Sequence, residues 1–96
     1  MLTHIVCWKY KLETTQEQKE THLAKLKNLP NMIPNIISFN IGFDVLHRER
    51  SFDLGLVAVY PDRAALDFYT EHAVHQEAAR MGKEIAEHVV SVDFVN

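Results

Sequence analysis

From Phe68 to Gln76 the chain reads Phe-Tyr-Thr-Glu-His-Ala-Val-His-Gln, so one phenol and two imidazoles fall within seven residues. Imidazole is the side chain whose charge is most easily moved across neutral pH, and a tyrosine hydroxyl can donate a hydrogen bond to a developing oxyanion. A pocket holding Tyr69 and His75 could therefore take a proton from carbon next to a carbonyl. The same side chains could instead be surface groups at a fraying helix end. Helical spacing separates the two readings. Tyr69 and His72 are three apart and share a face, as do His72 and His75. Tyr69 and His75 are six apart, about 240° around an unbroken helix, and would point in different directions. Their convergence requires a break, and Glu71 to Val74 joins two helical patterns with no Pro or Gly to enforce one.

The elements that must position these residues follow from patterning. Residues 3 to 11 are rich in β-branched and aromatic types and read as a strand. Thr14 and Glu17 stand at capping-box spacing, and His22, Leu23, Leu26 and Leu29 recur at helical steps, so a helix ends before Pro30. Pro30 and Pro34, among Asn28, Asn31 and Asn35, mark a loop. Ile36 to Val45 reads as a second strand with Ile37, Phe39, Ile41, Phe43 and Val45 on one face. Phe52 to Tyr60 is a third strand, apolar on both faces. Pro61-Asp62 stops it and caps a helix through Tyr69; a further helical stretch runs from Val74 to Glu87, and Val89 to Val95 is the last strand.

The order β-α-β-β-α-β is that of the ferredoxin-like α+β fold, a four-stranded antiparallel sheet with expected strand order 4-1-3-2. That order sets the first and last strands side by side, so His4 near the start of one meets Asp93 near the end of the other. A carboxylate beside an imidazole fixes its tautomer and orientation. If both face the helices, His4, Asp93, Tyr69, His72 and His75 could border one cavity. The same order leaves one sheet face bare, although its third strand is apolar on both sides, and such strands are normally buried on both. The expected remedy is a two-fold homodimer, sheet against sheet, burying on the order of 800 Å² per partner.

Composition narrows the function classes. The 96 residues are expected to form one domain with one core. The net charge of −3 and the scattered Lys and Arg give no footprint for nucleic acid. No window of the sequence is long and apolar enough for a membrane span, and the first residues lack the pattern of a signal peptide. The single Cys7 allows no internal disulfide and fits a reducing, cytoplasmic compartment. His72-x-x-His75 could offer two imidazoles to a metal, with Asp93 or His4 as a third, but no ligand-spacing signature supports a metal site. No G-x-S-x-G and no clustered glycines point to a nucleophilic serine or a phosphate loop. His22, His47 and His88 read as structural or solvated, and Trp8 and Tyr10 as packing groups or pocket walls.

Taken as an ordered set, several segments resemble the stress-responsive A/B barrel (Dabb) family of the dimeric α+β barrel superfamily. They are His4-Ile5-Val6-Cys7-Trp8-Lys9, Leu29-Pro30-Asn31-Met32-Ile33-Pro34 leading to Ile37-Ser38-Phe39 and Gly42, Phe52-Asp53-Leu54-Gly55-Leu56-Val57, Tyr69 to His75, and Val92-Asp93-Phe94. The resemblance spans nearly the whole chain and implies a homodimer of ferredoxin-like units whose sheets form a barrel. Most of the family has no assigned reaction. One member type, plant olivetolic acid cyclase, closes a linear polyketide by intramolecular aldol condensation without a cofactor; its active-site histidine and tyrosine look like His75 and Tyr69, its first-strand histidine like His4, and its last-strand aspartate like Asp93. The resemblance thus implies His75, Tyr69, His4 and Asp93 as catalytic, with no cofactor; beside them His72, read as shaping or capping the turn, and Trp8 and Tyr10, read as pocket walls, are the expected substrate-binding residues. The family often has Pro directly after the residue matching His72, where this chain has Ala73. Two other readings stay open: a cofactor-free monooxygenase or haem-degrading protein, and a non-catalytic stress-response or small-ligand-binding protein.

Overall fold

Alternation of apolar and polar residues from Leu2 to Tyr10 produces β1, whose Leu2, Val6, Trp8 and Tyr10 are buried. The computed structural model describes residues 1–96. After β1 come α1 (Gln16–Lys27), the short α2 (Leu29–Met32), β2 (Ser38–Phe43) and β3 (Leu54–Tyr60), then α3 (Arg63–Glu71), α4 (Ala73–Ile85) and β4 (Ala86–Val95). The four strands form one antiparallel sheet in the order β2-β3-β1-β4, which is the expected order read from the other edge. The ferredoxin-like α+β architecture is therefore present.

The core lies between the sheet and the helices. On β3, Leu54, Leu56, Ala58 and Tyr60 are buried together with the β1 residues, and α1, α3 and α4 cover them with Leu26, Leu66, Tyr69, Ala78 and Ile85. Gly82 brings α4 against α1: a Cβ there would lie 2.8 Å from Nε2 of His22 and 3.1 Å from Nε1 of Trp8. The opposite sheet face is uncovered. Across it Val92, Ile5 and Val57 stand in register on β4, β1 and β3, and Val57, Val90 and Val92 are exposed.

Several boundaries differ from expectation. The capping box is built by Thr15 and Gln18: Thr15 Oγ1 accepts from the Gln18 N–H at 3.1 Å and Gln18 Oε1 accepts from the Thr15 N–H at 2.9 Å. Thr14 is drawn inward, where its hydroxyl donates to the Ile85 carbonyl at 2.8 Å at the junction of α4 and β4. Pro30 lies in the first turn of α2, where its missing N–H costs nothing, so the stretch after α1 is a helical turn before it is a loop. Ile37 and Val45 fall outside β2, and both side chains are exposed. Phe52 falls outside β3, and the Tyr10 N–H donates to the Asp53 side-chain carboxylate at 2.8 Å in place of a strand carbonyl.

Candidate active site

The break between Tyr69 and His75 is made by His72. Its backbone is extended (φ −64°, ψ 136°), so it ends α3 and begins α4 as one residue. Its own N–H donates to the Tyr69 carbonyl at 3.2 Å, and its Nδ1 accepts from the Val74 N–H at 3.2 Å. An imidazole thus does what Ser, Thr, Asp or Asn usually does at a helix start, satisfying one of the first turn's free donors. With the helices broken there, the Tyr69 and His75 rings meet at 4.5 Å between centroids.

Nδ1 of His75 lies 2.9 Å from the Thr70 carbonyl, which also accepts from Gln76 Nε2 at 2.7 Å. A carbonyl only accepts, so Nδ1 carries the proton and Nε2 carries the free lone pair. Burial pushes the His75 pKa below the ordinary histidine value, assisted by the nearby imidazoles of His4 and His72. The Thr70 carbonyl opposes this shift without reversing it. His75 is accordingly neutral at neutral pH. Tyr69 is 1% exposed, and burial pushes its phenol up to about 12, so it remains a donor.

His4 pairs with Asp93 across β1 and β4, and its Nδ1 is hydrogen-bonded to the Asp93 carboxylate. Its ring stands edge-on to Tyr69 at 6.3 Å between centroids. His4, Tyr69, Thr70 and His75 line a cavity of about 240 Å³ whose walls include Val6, Trp8, Leu26 and Leu56, with Ala79 and Lys83 of α4 and Val89 and Ser91 of β4. The arrangement combines a neutral base, a buried hydroxyl donor and a carboxylate-anchored imidazole around one small apolar space.

The sequence model for the stress responsive A/B barrel domain matches residues 2–96. The chain belongs to this family. Among solved structures, it superposes on a dimeric ferredoxin-like protein of unknown function from Thermobifida fusca at a TM-score of 0.90, with 23% identity over 99% of this chain and 90% of that one. It superposes on the hydroxynitrile lyase of Passiflora edulis at 0.87, with 22% identity over 99% of this chain and 93% of that one. An antibiotic biosynthesis monooxygenase matches at 0.77, with 17% identity over 100% of this chain and 98% of that one. Likeness at these identities establishes a shared fold. No curated protein matches the chain.

In this A/B barrel domain, the structure brings together His4, Tyr69 and His75 with Trp8 as a wall. Asp93 reaches the site through His4. Two residues expected to contact substrate are placed elsewhere. Tyr10 lies beyond the cavity, where its hydroxyl is 2.7 Å from Nδ1 of the fully buried His22. Burial lowers the His22 pKa to about 4, so the ring is neutral at neutral pH. His72 does not line the cavity, because its ring is used in capping α4. No group of three or more His, Cys, Asp or Glu side chains is arranged for a metal ion. Sequence reasoning missed Lys83 and the Thr70 carbonyl. Lys83 shares a helical stripe with His75 at four-residue steps, a signal that acquires meaning only once His75 is known to face a cavity.

Proposed function

We propose that this A/B barrel domain is a small cofactor-independent enzyme that abstracts a proton next to a carbonyl and directs the enolate into aldol closure or lyase chemistry. The observation that carries this reading is the His75 tautomer: its Nδ1 proton is held by the Thr70 carbonyl, and a neutral Nε2 is left beside a buried phenol. Nε2 takes the proton from the α-carbon, and the C–H electrons form the enolate as the carbonyl electrons move onto oxygen. Tyr69 donates its hydroxyl hydrogen bond to that oxygen. In an aldol closure the enolate carbon bonds to a second carbonyl carbon of the same molecule, and the imidazolium returns its proton to the new alkoxide. His4, held by Asp93, orients the substrate carbonyl against Tyr69. That a hydroxynitrile lyase shares this fold is in keeping with carbonyl chemistry on such a scaffold.

A substrate surrogate suffices to test this. With 2,6-heptanedione in deuterated water, proton NMR follows both exchange at the α-carbons and appearance of the cyclised enone. The native protein should accelerate exchange. His75→Ala should lower the rate by about 10²–10⁴-fold, and Tyr69→Phe by about 10²-fold. Because burial depresses the His75 pKa, the acid limb of the pH–rate profile should lie below the ordinary histidine value of about 6.5. Equal rates for the native protein and His75→Ala would end the catalytic reading. Binding without any exchange would favour a non-catalytic small-ligand-binding protein.

The uncovered sheet face supports a second part of the reading: a homodimer formed sheet to sheet. Three solved proteins of this fold, from Thermobifida fusca, Bacteroides fragilis and Jannaschia, are described as dimeric. Cys7, a half-buried free thiol, suits a reducing, cytoplasmic compartment.

A further inference from the structure

The cavity has two chemically different ends. His75, Ala79 and Lys83 follow one another at four-residue steps along α4, and all three line it. At 1.5 Å per residue that stretch of helix is about 12 Å long. On the sheet side His4, Val6 and Trp8 line it in turn, and the last two stand beside Ser91 and Val89 of β4, which also line it. Direction is fixed at both ends. The His4 ring lies against Tyr69, which meets His75. Trp8 Nε1 approaches Gly82, the residue before Lys83. The proposed chemistry uses only the His4–Tyr69–His75 end. Between the ends the walls are apolar, formed by Val6, Leu26, Leu56 and Ala79. Lys83 is the one lysine or arginine among the lining residues, and it takes part in none of the molecule's ion pairs.

Resting on the proton-transfer reading above, the geometry points to a small keto acid as substrate, its ketone at Tyr69 and His75 and its carboxylate on the Lys83 ammonium. Side chains on a helix lean toward its N-terminus, so Lys83 reaches back along the cavity and the two groups would be roughly 7–10 Å apart. The connecting chain lies along the apolar walls. A monoanion suits this end better than a phosphate. Lys83 stands in the last turn of α4, where the helix carbonyls add partial negative charge, and phosphate sites use helix N-termini instead. The cavity, at about 240 Å³, lies below the usual 300–1,000 Å³ range for ligand pockets, which limits the acid to a short chain.

The test compares two compounds of equal length, 2-octanone and 7-oxooctanoic acid, titrated into the native protein at low salt and followed by calorimetry or NMR. The acid should bind about three- to tenfold more tightly, a preference that shrinks as salt is added. Lys83→Met, of similar length and uncharged, should bring the acid down to the affinity of the ketone, and Lys83→Arg should restore the preference. Inorganic phosphate should compete more weakly than acetate. Equal affinity for the two compounds, or a preference that survives in Lys83→Met, overturns the carboxylate assignment while leaving the His75 reading intact, provided ketone binding still responds to His75→Ala. Failure of both compounds to bind removes the pocket reading and this inference with it.

Discussion

Two histidines of this molecule, the fully buried His22 and the half-buried His75, favour the neutral form, His22 with a pKa near 4 and His75 below its ordinary value, both chiefly through desolvation. Linkage gives the sign. The unfolded chain, with ordinary histidines near 6.5, binds protons that the folded chain refuses, so stability rises with pH in that window. The contribution is fully present above about 6.5 and is lost as pH falls from there toward 4. The urea midpoint should accordingly drop between pH 6.5 and pH 5, above the range where ordinary carboxylates dominate. His22→Gln should flatten part of that slope whatever it does to the absolute midpoint; a slope parallel to that of the native protein would show that His22 is not the linked group. At this scale the sequence was partly legible. That His4 lies near Asp93 follows from strand order, because neighbours in an antiparallel sheet meet start to end, whereas their direct pairing depends on a register that order does not fix. Tyr10 lies outside the cavity for a physical reason: alternation tells which face of β1 it occupies, but not that His22 of α1 covers that position.

At the scale of elements, the site depends on one residue's backbone between α3 and α4. Neither Pro nor Gly marks the place and histidine is not among the usual capping types, so patterning offered His72 as the residue that shapes or caps the turn without fixing its extended backbone or its ring's bond to the Val74 N–H. Hydrophobic period and turn residues revealed every strand and the main helices. The short α2 and the exact cap of α1 escaped, because Thr14 and Thr15 both fit a capping signature and only the demand of the Ile85 carbonyl distinguishes them. The hinge invites a direct test. Ala73 occupies the first position of α4, is exposed, and follows a residue with ψ 136°, the conformation that proline imposes on its predecessor. Ala73→Pro should therefore be tolerated and raise stability by about 0.4–1 kcal/mol, or several degrees in Tm for a chain of this size. It should leave the Tyr69–His75 geometry, and hence exchange activity, in place. A loss of stability would mean that the break at His72 is not the extended hinge that brings those rings together.

For the whole molecule, the governing asymmetry is between a sheet face packed under helices and one left open to water. Val57 on the inner strand β3 is 41% exposed, and Val92, in its row across β1, is 53% exposed. Strands apolar on both faces are normally covered on both, and contiguous apolar patches beyond a few hundred Å² are uncommon on monomers. Closing two such faces on each other leaves both cavities on the outer, helical sides, so the sites need not be shared. Val57→Lys separates pairing from folding: in a single chain the ammonium is solvated on an exposed face, whereas in the pair it would be buried without a partner, at a cost of several kcal/mol. Analytical ultracentrifugation should find a dimer for the native protein and a folded monomer for Val57→Lys. Circular dichroism should be near native for the variant, and its binding of 7-oxooctanoic acid should be retained. A native protein that sediments as a monomer, or a Val57→Lys variant that stays dimeric, would place any contact between copies somewhere other than the open sheet.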